Sequence, residues 1–506
     1  MTNYLRSAIQ IILLLTILHP AALPAAHITD GGQYLNDNVK TETLRNGIKV
    51  LMLNRGYAPT LALIISFKVG STDESYDTMG MAHLLEHMLF KGTDRIGTTN
   101  YREEKKILDR IAAVGDTIDR LILQNPDNSR IPELKKELQQ LQIQHRKYTV
   151  SSTYDKIYTA NGGVGFNAST SRDRTAYYIE LPASKLELWA DLESERLRNP
   201  VMRGFFLERN TVLEERLMRY DSDGVSGLYE KFLGTAFIAH PYRHPTIGWA
   251  SNIPHLSIYD VERFYRTHYI PARMTITVIG KQDTGKTLKT LEKYFGKMEP
   301  RPNPVETAIR EPKQTGEKRF VYKYEANPYL LIGWHKPTVP SRYDYIFDIV
   351  ANLLSDGKTS RLYKSLVLEK KVAASVNVWN GFPGARYDNL FVVAATPRAP
   401  HSAVELEKEI YSEIARLKKD LTQHELQKVI NRIESSMVFD LDSNMGICRL
   451  LSYYQTIFND WRYVVNYTRT VKGITIAEIH EAVDAYLTKD NRTVGILEDT
   501  RTSAGN

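Results

Sequence analysis

The sequence predicts an α+β protein built from two similar halves, and three observations support this prediction. The chain has 506 residues, which is more than one hydrophobic core normally organises. Residues 298–319 contain four prolines and are unsuited to a long helix or strand, so they divide the chain. Residues 256–279 and 474–497 share the pattern of an amphipathic helix, a polar turn and a β-branched strand, at a constant offset of 218 residues. The irregular alternation of strands and helices favours sheets backed by helices on one face.

Composition excludes several classes of protein. Hydrophobic residues make up 42% of the chain and charged residues 25%, which argues against a disordered, collagen-like or multi-span membrane chain. The formal net charge of +7 is a mild excess and is no evidence for nucleic-acid binding. The single cysteine, Cys448, excludes an intrachain disulfide and a cysteine-rich metal site. A metal would therefore need histidine and carboxylate ligands.

The N-terminal segment predicts export. Residues 1–26 combine one basic residue, an apolar run at 8–18 and a stretch of small residues, which is the pattern of a secretory signal peptide. A buried helix or a retained anchor is the alternative. The apolar run is shorter than the ~20 residues that span a bilayer. We therefore expect an exported protein, periplasmic in a bacterium, without a stable membrane span after cleavage.

The predicted order after this segment is an N-terminal half at 27–297, a linker at 298–319 and a C-terminal half at 320–500. Within the first half, residues 101–154 contain two charged helical patterns joined by a polar turn. They predict an antiparallel helical hairpin that is inserted into the half and projects from it. This insertion is either a structural addition or an arm for a partner or substrate.

The residues that point to chemistry form the motif His83-Leu84-Leu85-Glu86-His87 on an apolar helix. His83 and His87 are four residues apart, so their rings leave the same helical face about 5–6 Å from each other. One metal ion can bridge them. Glu86 shares that face and can reach a water on the metal without being a ligand. A pair of structural histidines is the alternative, and the glutamate between them favours the metal.

A catalytic zinc site needs a third protein ligand and one open position. The candidates lie in residues 208–216, where Glu208 and Glu215 are two helical turns apart and share a face, while Glu214 points elsewhere. Charged helical faces are common, so this spacing alone does not separate a ligand from a solvated surface.

These motifs together resemble the signature of the pitrilysin-type (M16) zinc metallopeptidases, the inverzincins, a family that includes insulin-degrading enzyme and the mitochondrial processing peptidase. The resemblance extends through residues 162–170, 240–242 and 356–362 and is greatest to bacterial processing-peptidase-like members. It implies two homologous halves that close around a polypeptide. Each half is expected to be a mainly antiparallel sheet backed by helices, and only the first to bind metal.

The resemblance also implies roles for individual residues. One Zn²⁺ per chain would be held by His83, His87 and Glu215. Glu86 would be the general base that takes a proton from the metal-activated water. Glu208 would support the ligands from behind.

A substrate-binding edge is implied at Asn167 and Ala168, which precede a predicted strand at 175–181. An extended substrate would pair there by strand addition. Without the resemblance, an ordinary hairpin turn is an equally good interpretation.

One departure from the family concerns the second half. Catalytic members usually draw an arginine and a tyrosine from it, and the matching positions here are Val367 and Ala374. The chain is therefore expected to pair with a second M16-like subunit that supplies the Arg/Tyr pair. A self-sufficient homodimer that uses other residues, such as Arg361 or Tyr363, is the alternative.

The function that these observations predict is zinc-dependent endoproteolysis of extended peptides or unfolded polypeptide segments, either alone or only with a partner subunit. A non-catalytic M16-like assembly or chaperone subunit is the alternative. Residues 280–287 match a P-loop and follow a predicted strand, so a P-loop NTPase is a remote alternative. A polar turn into the next helix explains that match better, because no apolar strand that ends in aspartate follows. No nucleic acid is expected as a partner.

Overall fold

The computed structural model of the chain describes residues 31–56, 58–306 and 309–501. The predicted signal segment, residues 1–26, lies outside the described residues. Among the described helices, none combines the length and the hydrophobicity that a bilayer crossing requires.

The described part of the first half begins with a short helix, and most of its helices follow the third strand. Its elements in chain order are α1 (Gly31–Asn38), β1 (Lys40–Thr43), β2 (Lys49–Asn54), β3 (Thr60–Phe67), α2 (Met81–Met88), α3 (Tyr101–Gln124), α4 (Ile131–His145), α5 (Thr153–Ala160), β4 (Val164–Thr170), β5 (Thr175–Pro182), α6 (Leu186–Arg198), α7 (Phe205–Arg216), α8 (Gly224–Ala236), α9 (Ile258–His268), β6 (Met274–Gly280) and α10 (Thr284–Phe295).

The second half repeats this plan with fewer insertions. Its elements are β7 (Lys318–Tyr324), β8 (Tyr329–Lys336), α11 (Arg342–Ser355), β9 (Ala373–Phe382), β10 (Asn389–Pro397), α12 (Ala403–Asp420), α13 (Gln423–Asp440), α14 (Asn444–Phe458), α15 (Tyr463–Lys472), α16 (Ile476–Tyr486) and β11 (Arg492–Asp499). Turns of π-helix follow α7 at Leu217–Asp221 and precede β9 at Tyr363–Glu369.

Each half is organised around one sheet. The first sheet has the strand order β1-β2-β6-β3-β5-β4, and the second has the order β7-β11-β8-β10-β9. Strands β2 and β6 run parallel, as do β7 and β11, while the other described pairs are antiparallel. The predicted fold class, two mainly antiparallel sheets backed by helices, is confirmed.

The repeat is visible in both connectivity and position. Helix α9 and strand β6 lie 218 residues before α16 and β11, at the offset that the sequence shows. β6 pairs parallel with β2 and antiparallel with β3, and β11 pairs in the same way with β7 and β8. The two halves therefore share a common core of strands and a closing helix.

The halves also exchange helices. In addition to the predicted helices on one face of each sheet, α14 of the second half covers β3 and β6, and α8 of the first half covers the second sheet. Leu451 and Cys448 lie in one hydrophobic cluster with Ala62 and Ile64. Strand β6 is buried along its whole length, so both of its faces need an apolar neighbour. Because each of these helices packs on the sheet of the other half, the two halves are joined by shared hydrophobic clusters rather than by a contact between their surfaces.

The linker is attached to both halves by hydrogen bonds. Strand β7 begins at Lys318, so the predicted linker at 298–319 extends two residues into the second sheet. The Glu311 carboxylate accepts hydrogen bonds from the backbone amides of residues 238–240 at 2.7–3.0 Å. Gln314 donates to the carbonyl of Arg492 at 2.7 Å. The linker thus contacts both halves.

The inserted hairpin consists of α3 and α4. It does not simply project from the body, because α3 lies against α7. A Cβ on Gly115 would stand 1.9 Å from the Phe206 ring, so only glycine allows this approach. The Asp119 carboxylate accepts two hydrogen bonds from Arg209, at 2.6 and 3.0 Å. The expectation of a projecting arm is therefore wrong for this part of the hairpin.

Candidate metal centre

Helix α2 presents the H-x-x-E-H motif. Its apolar residues, among them Leu84, Leu85 and Met88, are buried in the first core, which fixes the rotation of the helix. His83 and His87 lie on the same face with ring centroids 4.6 Å apart. Both rings are partly exposed, so a ligand between them is accessible from outside.

Helix α7 brings Glu215 to the two histidines. Its Oε2 atom lies 3.9 Å from Nε2 of His83 and 3.7 Å from Nε2 of His87. Within the part of the chain that the structure describes, these three residues form the one group of histidine and acidic side chains whose ligand atoms converge within 4.8 Å of one another. Glu214 is exposed on the other side of α7.

The three donor atoms fit a zinc ion. Their separations are too long for hydrogen bonds. A tetrahedral ion with bonds of about 2.0–2.2 Å would place its ligands roughly 3.4 Å apart, close to the observed distances. Two imidazoles and one carboxylate are also a common donor set for catalytic zinc. His83, His87 and Glu215 would hold the metal.

Glu208 orients the ring of His87 through a hydrogen bond. The Nδ1–H of His87 donates to Oε1 of Glu208 at 2.9 Å, and Lys91 pairs with the other carboxylate oxygen. Burial raises the pKa of Glu208, but the hydrogen bonds from His87 and Lys91 outweigh this effect and lower it. Burial lowers the pKa of His87, but the hydrogen bond to Glu208 and the negative charges of Glu208, Glu86 and Glu215 outweigh this effect, so the net pKa is raised. The bond to Glu208 leaves Nε2 of His87 directed toward Glu215.

Different interactions make His83 and Glu215 suited to bind a metal. Burial, together with the neighbouring His87, lowers the pKa of His83 to about 3, which keeps its ring in the neutral form that metals bind. Arg219 lies one turn after Glu215 and pairs with its Oε1 atom at 3.1 Å. The other oxygen, Oε2, is left facing the histidines.

Glu86 lies beside the three donors, and its residue surface is 8% exposed. Its Oε2 atom accepts a short hydrogen bond from the Thr170 hydroxyl at the end of β4. Burial raises the pKa of Glu86, although the Thr170 hydrogen bond opposes the shift. The orientation of the Glu86 carboxylate is therefore set by Thr170, a residue of the edge strand β4.

The predicted substrate edge is a strand rather than a turn. Asn167 and Ala168 lie in β4, at one end of the strand order of the first sheet. Ala168 is opposite Tyr177 of β5 in the register, and Asn167 is exposed. One edge of β4 pairs with β5. The opposite edge has no partner strand within the described residues, so its backbone groups are available for strand addition.

The second half offers no replacement for the Arg/Tyr pair at the matching positions. Val367 is buried, and Ala374 is exposed at the start of β9. The Arg361 guanidinium is occupied by Glu425, at 2.9 Å, and by Asp420. Tyr363 packs partly buried against the second core. Arg361 is therefore a structural cation in this half.

The rival P-loop pattern is the turn between β6 and α10. The Asp283 side chain accepts a hydrogen bond from the Lys286 amide at 2.8 Å and caps the helix. Cys448 is fully buried in the cluster between the halves. Both segments have structural roles.

Sequence reasoning missed Thr170, Lys91 and Arg219. Arg219 follows Glu215 by four residues, a spacing that places opposite charges on one helical face and could have indicated it, whereas Lys91 pairs with Glu208 of a different helix and leaves no such local pattern. The contact of Thr170 with Glu86 spans 84 residues and leaves no local pattern.

Two halves of this topology, with an inverted zincin motif in the first, define the M16-type peptidase fold. Residues 49–119 match the family model "Insulinase (Peptidase family M16)", and residues 255–433 match "Peptidase M16 inactive domain". The chain belongs to the M16 peptidase family, as its motifs predict.

Several similar proteins are described as proteases. "Zinc protease PqqE" of Helicobacter pylori is 25% identical over 466 residues, which cover 90% of this chain and 91% of that protein. A solved protease from Helicobacter pylori has a TM-score of 0.75 at 24% identity and covers 91% of this chain and 99% of its own. The periplasmic protease PqqL from Escherichia coli has a TM-score of 0.69 at 15% identity and covers 92% of this chain but 48% of its own. The structural likenesses concern the fold.

Proposed function

We propose that the chain is a zinc-dependent endopeptidase that cleaves extended peptides or unfolded segments of polypeptide. The observation that carries this proposal is the convergence of His83, His87 and Glu215 beside a carboxylate, Glu86, that is not itself part of the ligand set. The names of similar proteins, such as "Zinc protease PqqE", support the same metal and reaction.

In this proposal, the residues of the site have separate roles in peptide hydrolysis. His83, His87 and Glu215 hold the ion, which when bound supplies a Lewis acid that polarises a carbonyl and makes water more acidic. Glu86 accepts the proton of the attacking water and returns it to the amide nitrogen of the leaving peptide. Thr170 orients the Glu86 carboxylate through its hydroxyl.

The free edge of β4 binds the substrate in this proposal. Backbone groups of Asn167 and Ala168 pair with an extended peptide, which selects for an unfolded conformation rather than for particular side chains. Because Thr170 ends the same strand and contacts Glu86, the bound peptide backbone would run directly past the general base.

A second M16-like subunit completes the site. The proposal rests on Val367 and Ala374, which lack the hydrogen-bonding groups that would bind a substrate carbonyl or its developing charge. PqqL supports a paired arrangement, since this chain covers 48% of it and a separate structure is described as its first half. The mature chain is proposed to be exported, and periplasmic in a bacterium, on the pattern of residues 1–26.

A second candidate function is a non-catalytic M16-like subunit in an assembly. The match of residues 255–433 to a model named "inactive domain" and the absence of the Arg/Tyr pair from the matching positions favour it. The complete set of His83, Glu86, His87 and Glu215 favours catalysis instead.

The test compares the wild-type chain with Glu86→Gln, using a library of quenched fluorescent peptides. We expect zinc-dependent cleavage by the wild type, alone or with its partner, and a loss of at least about 100-fold in the variant. Zinc content measured by atomic emission should be equal in the two proteins. Glu214→Gln is the matched control, because this exposed glutamate lies next to Glu215 and faces away.

Three outcomes are decisive. Chelator-sensitive cleavage that disappears in Glu86→Gln establishes the peptidase and its base. Silence of the isolated chain with one bound zinc, followed by activity after addition of a second M16-like subunit, establishes the divided site. Undiminished turnover in Glu86→Gln would falsify the mechanism.

A further inference from the structure

Arg172 lies in the turn between β4 and β5. It comes two residues after Thr170, whose hydroxyl contacts Glu86. Two residues of extended chain span about 7 Å, so a peptide that is paired with the free edge of β4 and continues past Glu86 reaches this turn. Arg172 is therefore placed to contact the substrate on one side of the bond that is cleaved.

The turn is held in a fixed position. The Arg172 carbonyl accepts two hydrogen bonds from Thr72, from the amide at 3.0 Å and from the hydroxyl at 2.7 Å. A Cβ on Gly70 would stand 2.3 Å from the carbonyl oxygen of Ser171, so only glycine allows the two segments to come this close. The fold thus sets the position of Arg172 before any substrate binds, which lowers the entropic cost of binding.

The acidic neighbour of Arg172 is engaged elsewhere. The Oδ1 atom of Asp173 accepts a hydrogen bond from the Tyr242 hydroxyl at 2.8 Å. Its Oδ2 atom accepts from the amides of Ala385 and Arg386, at 2.7 and 3.2 Å. Asp173 therefore fastens the turn to the second half, and it forms no ion pair with Arg172 in the part of the chain that the structure describes.

The guanidinium group of Arg172 has no partner of its own. None of the hydrogen bonds and ion pairs among the described residues involves this group, and its Nε atom is buried. Burial lowers the pKa of Arg172, but an arginine side chain stays protonated at neutral pH. The residue as a whole is partly exposed, so a ligand can reach it. A partly buried charge of this kind gains most from an anionic partner with hydrogen-bonding oxygens.

His244 offers a second polar group beside Arg172. Its Nδ1 atom is also buried and has no hydrogen-bond partner among the described residues. Burial, together with the charges of Arg243 and Arg172, lowers the pKa of His244 to about 4, so the ring is neutral at pH 7. A neutral imidazole carries one N–H and can donate a single hydrogen bond to an oxygen that Arg172 also binds.

The surroundings of these two residues adjoin the metal centre. Tyr76, in the segment that leads to α2, is 77% exposed, and its ring meets that of His244 edge to face with centroids 5.6 Å apart. Tyr220, five residues after Glu215, is close enough to Arg172 to interact with it electrostatically. Segments next to the metal helix, next to the third ligand and next to the substrate edge thus meet at Arg172 and His244.

We propose that Arg172 and His244 bind a carboxylate of the extended substrate, at the end of β4 that lies beyond Thr170. The planar guanidinium group matches a carboxylate, which an acidic side chain or a free C-terminus of the peptide can supply. The proposal rests on the proposed function in one respect, namely that the ligand is an extended peptide on β4. Arg172 is then a residue that determines substrate specificity.

The test measures peptide binding rather than turnover. Dye-labelled peptides with blocked termini, which differ in one residue (Gln, Glu, Asp or Lys), are titrated by fluorescence anisotropy against zinc-loaded Glu86→Gln protein, and the variable residue is moved along the peptide. At one position, Glu or Asp should bind at least about 10-fold more tightly than Gln. The same peptides with Gln and a free C-terminus show whether the terminal carboxylate is the ligand instead.

Arg172→Gln should reduce the preference for the carboxylate to within about threefold and leave the affinity for the neutral Gln peptide unchanged. Arg172→Lys keeps the charge but not the planar fork, and should retain part of the preference. Arg174→Gln is the matched control. Arg174 belongs to the same turn, but its guanidinium group lies over the ring of Tyr453 in α14, at 5.1 Å, so the preference should stay as in the parent protein.

His244→Phe is a second, independent variant. It retains an aromatic ring against Tyr76 and removes the Nδ1 atom, so the preference for the carboxylate should fall by about twofold or more. This variant decides the question if Arg172→Gln folds poorly, which circular dichroism would show.

Failure of this proposal is distinguishable from failure of the proposed function. No preference for a carboxylate in the parent, no peptide binding at all, or an unchanged preference in folded Arg172→Gln contradicts the carboxylate site. If wild-type protein cleaves neutral peptides under these results, the peptidase stands without the site. If no peptide is cleaved but the preference is present and disappears in Arg172→Gln, the site stands in a non-catalytic peptide-binding subunit.

Discussion

Arg386 of the second half donates a hydrogen bond to Asp73 of the first half, at 2.9 Å between Nη1 and Oδ2. Asp73 also accepts from Arg273 at 2.9 Å, and Glu306 of the linker lies 2.9 Å from Nη2 of Arg386. The two guanidinium groups are 4% and 5% exposed. Buried charges need their partners, so the two halves and the linker are joined through this cluster.

Asp73→Asn is expected to destabilise the protein by about 3–5 kcal/mol, because it leaves two buried arginines short of a counter-charge. The free energy of unfolding in urea measures this change. Glu187→Gln is the control, since the Glu187–Lys293 pair is exposed and screened by solvent, so its loss should change the stability little. Equal losses in the two variants would show that the buried cluster does not join the halves.

Glu74 follows Asp73 in the chain and links this cluster to α2, the helix that carries the H-x-x-E-H motif. Its carboxylate accepts hydrogen bonds from the amides of Gly80 and Ala82, at 2.9 and 2.8 Å, at the start of α2. The N-cap residue of α2 is Gly80, which supplies no side-chain cap. Glu74 therefore substitutes for the missing cap from outside the helix.

Glu74→Ala should cost about 0.5–2 kcal/mol of stability and loosen the first turn of α2, with a weaker zinc affinity as the consequence. Hydrogen exchange of the α2 amides should become faster than in the parent. Asp77→Asn, an exposed change in the same loop, should leave exchange in α2 unaltered. Unchanged exchange in Glu74→Ala would contradict the capping role.

Glu208→Ala should weaken zinc binding about 10- to 100-fold, because His87 loses the acceptor that orients its ring. Competition with a chromogenic chelator gives the dissociation constant. Glu214→Ala lies on the exposed face of the same helix and should bind zinc as the wild type does. A wild-type affinity in Glu208→Ala would mean that packing alone orients His87.

Glu104 should make the hairpin base sensitive to acid. Burial raises its pKa, but the hydrogen bonds from His145 and Arg203 outweigh this and lower the pKa from an ordinary 4.5 to about 2. Its contribution is therefore fully present above about pH 4.5 and is lost as the pH falls toward 2. The difference in unfolding free energy between wild type and Glu104→Gln should shrink over that range, by up to about 3 kcal/mol.

This difference is measured by urea unfolding of zinc-free protein at a series of pH values. Glu103→Gln removes an exposed carboxylate one residue away and should produce no comparable pH-dependent difference. A constant difference between wild type and Glu104→Gln from neutral to acidic pH would exclude the predicted coupling.

Much of the fold could be predicted from local patterns. The 218-residue offset identified two units, because a helix and the strand after it are encoded by short-range periodicity. The exchange of α8 and α14 between the halves could not be read in this way. It depends on which apolar surfaces of distant segments fit together, and the sequence shows only that strands such as β6 are apolar on both faces.

In the candidate site, the common helical face of His83, Glu86 and His87 could be predicted from the sequence alone, because the 3.6-residue period of a helix is a local property. The resemblance supplied Glu215 and the supporting role of Glu208, while the roles of Asn167 and Ala168 stay predictions. The contact of Thr170 with Glu86, and the pairing of Arg219 with Oε1 of Glu215 that leaves Oε2 facing the histidines, are seen only in the folded structure. Such contacts join residues far apart in the chain, and the packing of whole helices and sheets, not local periodicity, brings them together.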